Sequence, residues 1–199
     1  MDDDAFRAEA AVQYRKILAG LAAKGKLDDE AILLARVRRI AAGVIVAAAQ
    51  MRPATSSWPW EAHVTTDAST SAFCMAGGKL LVGAPFVARL ELTDAELAML
   101  LGHEIAHAVA DHRREASRAT MESDPAEEVR AARIAVMQED EADRIGMELA
   151  HRAGWPATAL AGFFDKLAAL EPAGTFNSSH STAASRASAA RAMARRLGD

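Results

Sequence analysis

A predominantly helical α+β domain is the fold class that this sequence predicts, on three observations. Alanine dominates the composition while aromatic residues make up only 5%, and alanine has the highest intrinsic helix propensity. Long segments repeat apolar side chains at helical spacing. One block alone, Glu61 to Gly83, breaks into short runs separated by turn residues and reads as a small antiparallel sheet. At 199 residues the chain is expected to form a single domain, 1–199, around one core.

Taken in order, Ala5 to Lys24 reads as an amphipathic helix on which Phe6, Ala10, Ile17 and Leu21 recur, broken by Gly25 and Lys26. Asp28 has the residue type of an N-cap for a second helix to about Met51, which Pro53 ends. Trp58-Pro59-Trp60 forms a loop or the edge of a strand. The expected strands are Ala62 to Thr66, Ser71 to Met75 and Lys79 to Val82, and Gly77-Gly78 supplies the positive φ of a tight hairpin turn. Thr93-Asp94-Ala95-Glu96 fits a capping box, so a helix starts there and is expected to run to about Arg114. Ser123-Asp124-Pro125 marks the next start, with proline at a tolerated first-turn position and Gly154 as the stop. Pro156 opens a helix to Leu170, Glu171 to Ser181 form a loop, and an alanine- and arginine-rich helix capped by Ser181 or Thr182 follows. Its arginines Arg186, Arg191, Arg195 and Arg196 are expected to make a solvated face.

The net charge of −4 argues against a nucleic-acid partner, which wants a basic face. A lone cysteine, Cys74, excludes an internal disulfide. The most apolar stretch, Ile40 to Gln50, is too short to cross a bilayer. Met1-Asp2-Asp3-Asp4 lacks the basic and apolar regions of a signal peptide, so the chain is expected to be cytoplasmic unless a targeting segment precedes it.

The chemistry centres on His103-Glu104-Ile105-Ala106-His107. Histidines four apart on a helix project from one face and can take two corners of a zinc tetrahedron. Glu104 beside them can hold the water of the open position, take its proton and return it to a leaving amine. Leu97, Leu100, Leu101, Ile105 and Val109 make this a buried helix, whose polar residues need partners that a metal provides. A metzincin would carry glycine at 110 and histidine at 113, where this chain has Ala110 and Arg113. His112, on a continuous helix, points away from the His103–His107 face and reads as a surface or second-layer residue. Glu139 is the better third ligand; it and Asp143 are four apart on a helix, so one can ligate while the other supports. Asp143 would then accept the outer N–H of a ligating histidine, His103 by preference, while Asp140 and Arg144 form an exposed pair.

These motifs, together with Ala72-Phe73-Cys74-Met75-Ala76-Gly77-Gly78, the run Glu139 to Gly146, and Phe176-Asn177-Ser178-Ser179-His180 with Arg186, resemble the HtpX/BepA-like family of gluzincin metallopeptidases. The likeness is greatest to its soluble bacterial branch. It implies a zincin-like fold with N-terminal helices (1–53), a small sheet (60–83), zinc-binding helices (93–153) and a plug-like loop with a C-terminal helix (171–199). It further implies one zinc per chain on His103, His107 and Glu139, with Glu104 as catalytic base and Asp143 behind the ligands. Ala72, Phe73, Cys74, Met75 and Ala76 match an active-site edge strand on which an extended protein or peptide substrate pairs. His180, with Arg186, matches a loop residue that either plugs the metal's open position or stabilises an oxyanion. Soluble relatives are periplasmic or outer-membrane-associated, which the resemblance extends to this chain if a signal segment precedes it. Ser71, Ala76 and Ser181 depart from the asparagine and prolines often found there in the family.

Zinc-dependent endopeptidase activity in protein quality control is therefore the expected function. The alternative is a zinc-stabilised, self-plugged binding or chaperone-like module with little turnover, which would have no need of Glu104. A deformylase-type hydrolase would require a cysteine ligand, and Cys74 sits in the strand motif instead.

Overall fold

The computed structural model describes residues 3–112, 125–170 and 182–199. Helix α1 (Asp3–Ala23) lies against the sheet, and its Tyr14 hydroxyl donates to the Leu80 carbonyl at 2.6 Å. The buried residues of α1 are Ala10, Tyr14 and Leu21, whereas Ile17, expected on that face, is exposed. Tyr14 supplies the missing turn of the stripe.

Helix α2 (Ala31–Met51) starts later than expected, because Asp28 does not cap it. Asp28 takes a positive φ of 57° and its carboxylate accepts from the Val64 N–H at 2.9 Å and meets His63 Nδ1 at 2.6 Å. The residue that looked like a helix cap instead ties the connection to the first strand. Pro53 does close the helix, opening a 3₁₀ turn over Pro53–Ser57.

Strands β1 (Glu61–Thr65), β2 (Ala72–Met75) and β3 (Lys79–Gly83) form the sheet in the order β1-β3-β2. It is mixed rather than wholly antiparallel: β2 and β3 make the hairpin over Gly77 and Gly78, both at positive φ, while β1 runs parallel to β3. The central strand is buried at all its positions, as its continuous Leu80-Leu81-Val82 run allows. β2 is thus an edge strand, and it packs beside the helix that carries His103.

A short helix α3 (Ala84–Arg89), begun by Pro85 and unremarked in the sequence, leads into α4 (Asp94–Val109). The capping box at α4 is complete: Thr93 accepts from the Glu96 N–H and Glu96 accepts from the Thr93 N–H at 2.7 Å. Helix α5 (Pro125–Arg152), ended by Gly154 at positive φ, crosses α4 over the most extensive helix–helix contact among the described residues. Helices α6 (Ala157–Leu170) and α7 (Ala183–Leu197) pack on each other and on this pair, and Thr182 caps α7 by accepting from the Ser185 N–H. The core gathers Val37, Ile40, Leu80, Leu97, Leu101, Met147, Leu160 and Phe164 around α4. No helix among the described residues is long and apolar enough to cross a membrane.

Candidate metal centre

Close approach of α4 to α5 is set by two glycines. A Cβ on Gly102 would lie 2.4 Å from the Gly146 carbonyl oxygen, and one on Gly146 would lie 2.5 Å from the His103 nitrogen. Only hydrogen fits at either position. The crossing therefore falls beside His103, and Asp143 and Glu139, one and two turns before Gly146 on α5, face the two histidines of α4.

Three potential ligand residues converge there. His103 Nε2 lies 3.1 Å from His107 Nε2, Glu139 Oε2 lies 3.5 Å from His103 Nε2, and Glu139 Oε1 lies 3.2 Å from His107 Nε2. Around zinc with bonds of about 2.0–2.1 Å, tetrahedral neighbours stand about 3.3 Å apart. The observed triangle has that size. Its chemistry agrees: His103 Nδ1 meets the Asp143 carboxylate at 2.8 Å, so it carries the proton and leaves Nε2 as a bare lone pair. A nitrogen lone pair and a carboxylate aimed at one point suit a cation, and this donor set fits zinc.

The electrostatics keep Glu139 in its ligating form. Burial raises its carboxyl, but the His107 hydrogen bond and the neighbouring His103, His107 and Arg186 outweigh it and bring it to about 2. Burial lowers His103, yet the Asp143 bond and the charges of Glu104 and Asp143 win and make it more basic. A more basic imidazole is a better ligand. Glu104, half-buried next to His103 on α4, acts here through its charge.

Arg186 is not part of a solvated face. It is largely buried, stacks 5.5 Å over Phe164, and grips Asp143 with Nε on Oδ2 and Nη2 on Oδ1, both at 2.7 Å. Its Nη2 also lies 3.9 Å from Glu139 Oε2. The guanidinium thus offsets the charge of Asp143 and Glu139 from behind, and its hydrogen-bond partner is Asp143. Arg191 pairs with Asp165 on the surface, and Arg195 and Arg196 are exposed as expected. A cavity of about 260 Å³ borders Arg186 between α5 and α7, lined by Asp143, Met147, Phe164 and Met193.

Of the two readings of His112, surface or second-layer residue, the second is the one observed, reached by a path other than a continuous helix. Helix α4 stops at Val109 rather than near Arg114, and His112 turns back to place Nδ1 2.9 Å from His107 Nδ1. It is buried, not on the surface. The expected Asp140–Arg144 pair is replaced by Arg144 with Glu141 at 3.9 Å, one residue closer along α5. Of the edge strand, Ala72, Phe73 and Met75 are partly exposed and Cys74 and Ala76 are buried. His180 and the rest of the expected plug loop, like Ser123 and Asp124, lie outside the described residues.

Sequence reasoning assigned no role to Gly102 and Gly146, nor to Arg52, whose guanidinium bonds the Val109 carbonyl and reaches Asp111 at 2.9 Å. The glycines stood inside the quoted motifs. Their places beside His103 and one turn after Asp143 were the available signal.

The comparisons with known proteins agree with the motifs. Residues 33–124 match the model of Peptidase family M48, a stretch that contains His103, Glu104 and His107 and ends before Glu139. The chain is also similar to the mitochondrial metalloendopeptidase OMA1 of Arabidopsis thaliana, 40% identical over 53 residues. That alignment covers 27% of this chain and 11% of the plant protein. Residues 33–124 thus carry the sequence pattern of Peptidase family M48, and the resemblance to the gluzincin metallopeptidases stands on the family match as well as on the motifs.

Proposed function

We propose that this protein is a zinc-dependent endopeptidase that holds its metal on His103, His107 and Glu139. The observation that carries the reading is the triangle of two imidazole nitrogens and a carboxylate at zinc-ligand separations, beside a glutamate that is not one of its corners. Zinc bound there lowers the pKa of a water to about 7 and polarises a carbonyl. The chain's own residues do the rest. Glu104 takes the proton from water and delivers it to the leaving amine as the peptide bond breaks. Asp143 holds His103 in the Nδ1–H tautomer, and although burial pushes the Asp143 carboxyl up, the His103 and Arg186 hydrogen bonds outweigh it and keep it ionised.

The substrate on this reading is a protein or peptide in extended form. On the family resemblance it runs along β2, from Ala72 to Met75, the outer strand of the sheet beside α4, by main-chain pairing. Such main-chain pairing tolerates many sequences, which suits the removal of unfolded protein in quality control. Wild type and Glu104→Gln are compared on a labelled unstructured peptide, with metal content measured on the same samples. Retained zinc with lost cleavage supports the mechanism; cleavage at the wild-type rate in Glu104→Gln defeats it.

A further inference from the structure

On a continuous helix His112 would stand well off the His103–His107 face, yet the chain is built to bring it back. Helix α4 ends at Val109, Ala110 takes φ −83° and ψ 0°, and Asp111 adopts a left-handed φ of 60°. A non-glycine residue in that region is uncommon and is held there by its surroundings. What holds it is Arg52, just past the end of α2, whose guanidinium bonds both the last carbonyl of α4 and the Asp111 carboxylate. The reversed chain buries His112 to 3% exposure and sets its ring edge-on to that of His107, with centroids 5.0 Å apart.

The protons follow from the contacts. If His107 gives Nε2 to a metal, its Nδ1 carries the hydrogen and donates to His112 Nδ1 at 2.9 Å. His112 must then carry its own proton on Nε2, which points at Glu141 Oε2 at 3.4 Å. Both imidazoles of the centre so acquire an outer partner: Asp143 for His103, and His112 backed by Glu141 for His107. Glu141 faces outward on α5 and lies on the side of the helix away from Asp143 and Arg186.

We propose that His112, backed by Glu141 and returned by the Arg52–Asp111 corner, is a positioning residue that fixes His107 in its metal-binding tautomer and orientation. The proposal rests on the reading of the triangle as a zinc centre. It predicts that the position of an acceptor at residue 112, rather than polarity or bulk there, governs metal affinity.

Two amide substitutions separate these. In His112→Asn the side-chain oxygen can occupy the place of Nδ1; in His112→Gln it occupies the place of Nε2 and leaves His107 without an acceptor. Zinc affinity is measured by competition with a chromophoric chelator, together with nitrogen NMR of the His107 ring in the zinc-loaded protein. His112→Gln should lose about 10- to 100-fold in affinity, with a weakened Nδ1–H signal at His107. His112→Asn should stay near wild type. Glu141→Ala, a change at a half-exposed side chain that leaves the core alone, should weaken zinc by a few-fold. Equal affinities for the asparagine and glutamine variants overturn the proposal, whether both match wild type or both fall. If wild type itself fails to bind zinc through His103, His107 and Glu139, the functional reading fails first and this inference with it. If wild type binds zinc and cleaves peptide while His112→Gln binds as tightly, the His112 inference alone falls.

Discussion

Replacing Gly146 with alanine tests how the fold positions the centre without touching any ligand. The new Cβ would sit 2.5 Å from the His103 nitrogen, 2.7 Å from the Gly102 carbonyl carbon and 2.8 Å from the His103 Cα. All three are backbone atoms, so no rotamer change relieves the overlap. Reaching ordinary contact at about 3.5 Å requires α4 and α5 to part by roughly 1 Å. Metal ligand distances tolerate only about 0.2 Å, so Glu139 leaves the range in which it can share an ion with His103 and His107. Overpacking costs about 1–3 kcal/mol, offset in part by the roughly 1 kcal/mol gain of alanine over glycine in a helix. At about 2–4 °C per kcal/mol for a domain of this size, metal-free protein should melt a few degrees lower. Zinc affinity should fall more than the melting point suggests, by about tenfold or more, on the ligand-distance argument. Thermal unfolding of metal-free protein and chelator competition read the two effects separately. Gly20→Ala, where an added Cβ meets nothing within 4 Å, is the control and should raise the melting temperature. Wild-type zinc affinity in Gly146→Ala would refute the claim that this crossing sets the site.

Other perturbations address the ligands, the buried arginine and the acid response. Glu139→Ala should lower zinc occupancy and thermal stability together, since metal binding adds to the stability of the folded state; Asp143→Ala should act in the same direction, with about 10- to 100-fold weaker affinity or activity. Metal analysis and melting curves check both, and a larger loss in Glu141→Ala than in Glu139→Ala would contradict the register of α5. Arg186→Met removes the guanidinium from the buried Asp143, which keeps its His103 bond, and should destabilise the protein by up to about 3–5 kcal/mol, measured by denaturant unfolding, with Arg186→Met/Asp143→Asn recovering part of the loss. Burial of Glu96 pushes its carboxyl up, but Lys166 and the Thr93 groups outweigh that and hold it below its ordinary 4.5. A depressed folded-state pKa contributes stability above the unfolded value and loses it as pH falls through the folded one. Glu96→Gln should therefore flatten the decline in stability below about pH 4.5, as read from denaturant midpoints against pH.

The helices and the donor set were legible because each rests on local pattern. Thr93 and Glu96 announce α4 three residues apart, and His103 and His107 fall on one face by helical geometry alone. What escaped depends on partners distant in sequence. Asp28 has a cap's chemistry, yet the Val64 N–H and His63 compete for it once β1 arrives. The parallel pairing of β1 with β3 comes from strand order, which three short runs do not encode. Arg186 looks like any arginine on an alanine-rich helix until α5 brings Asp143 within 2.7 Å. A second-layer His112 was among the sequence readings, but its route was not, because the helical period stops at Val109, where Arg52 from just past α2 bonds the last carbonyl.

The central claim is tested most directly by removing metal and returning it by known amounts. Protein stripped with a chelator, freed of it, and titrated with zinc is assayed on an unstructured labelled peptide. Cleavage should be absent in the stripped protein, rise in proportion to added zinc and level off at one ion per chain, with Glu104→Gln taking up the same single ion and remaining inactive. Peptide cleavage that persists in the stripped protein, or zinc uptake that does not depend on His103, His107 and Glu139, would contradict the account.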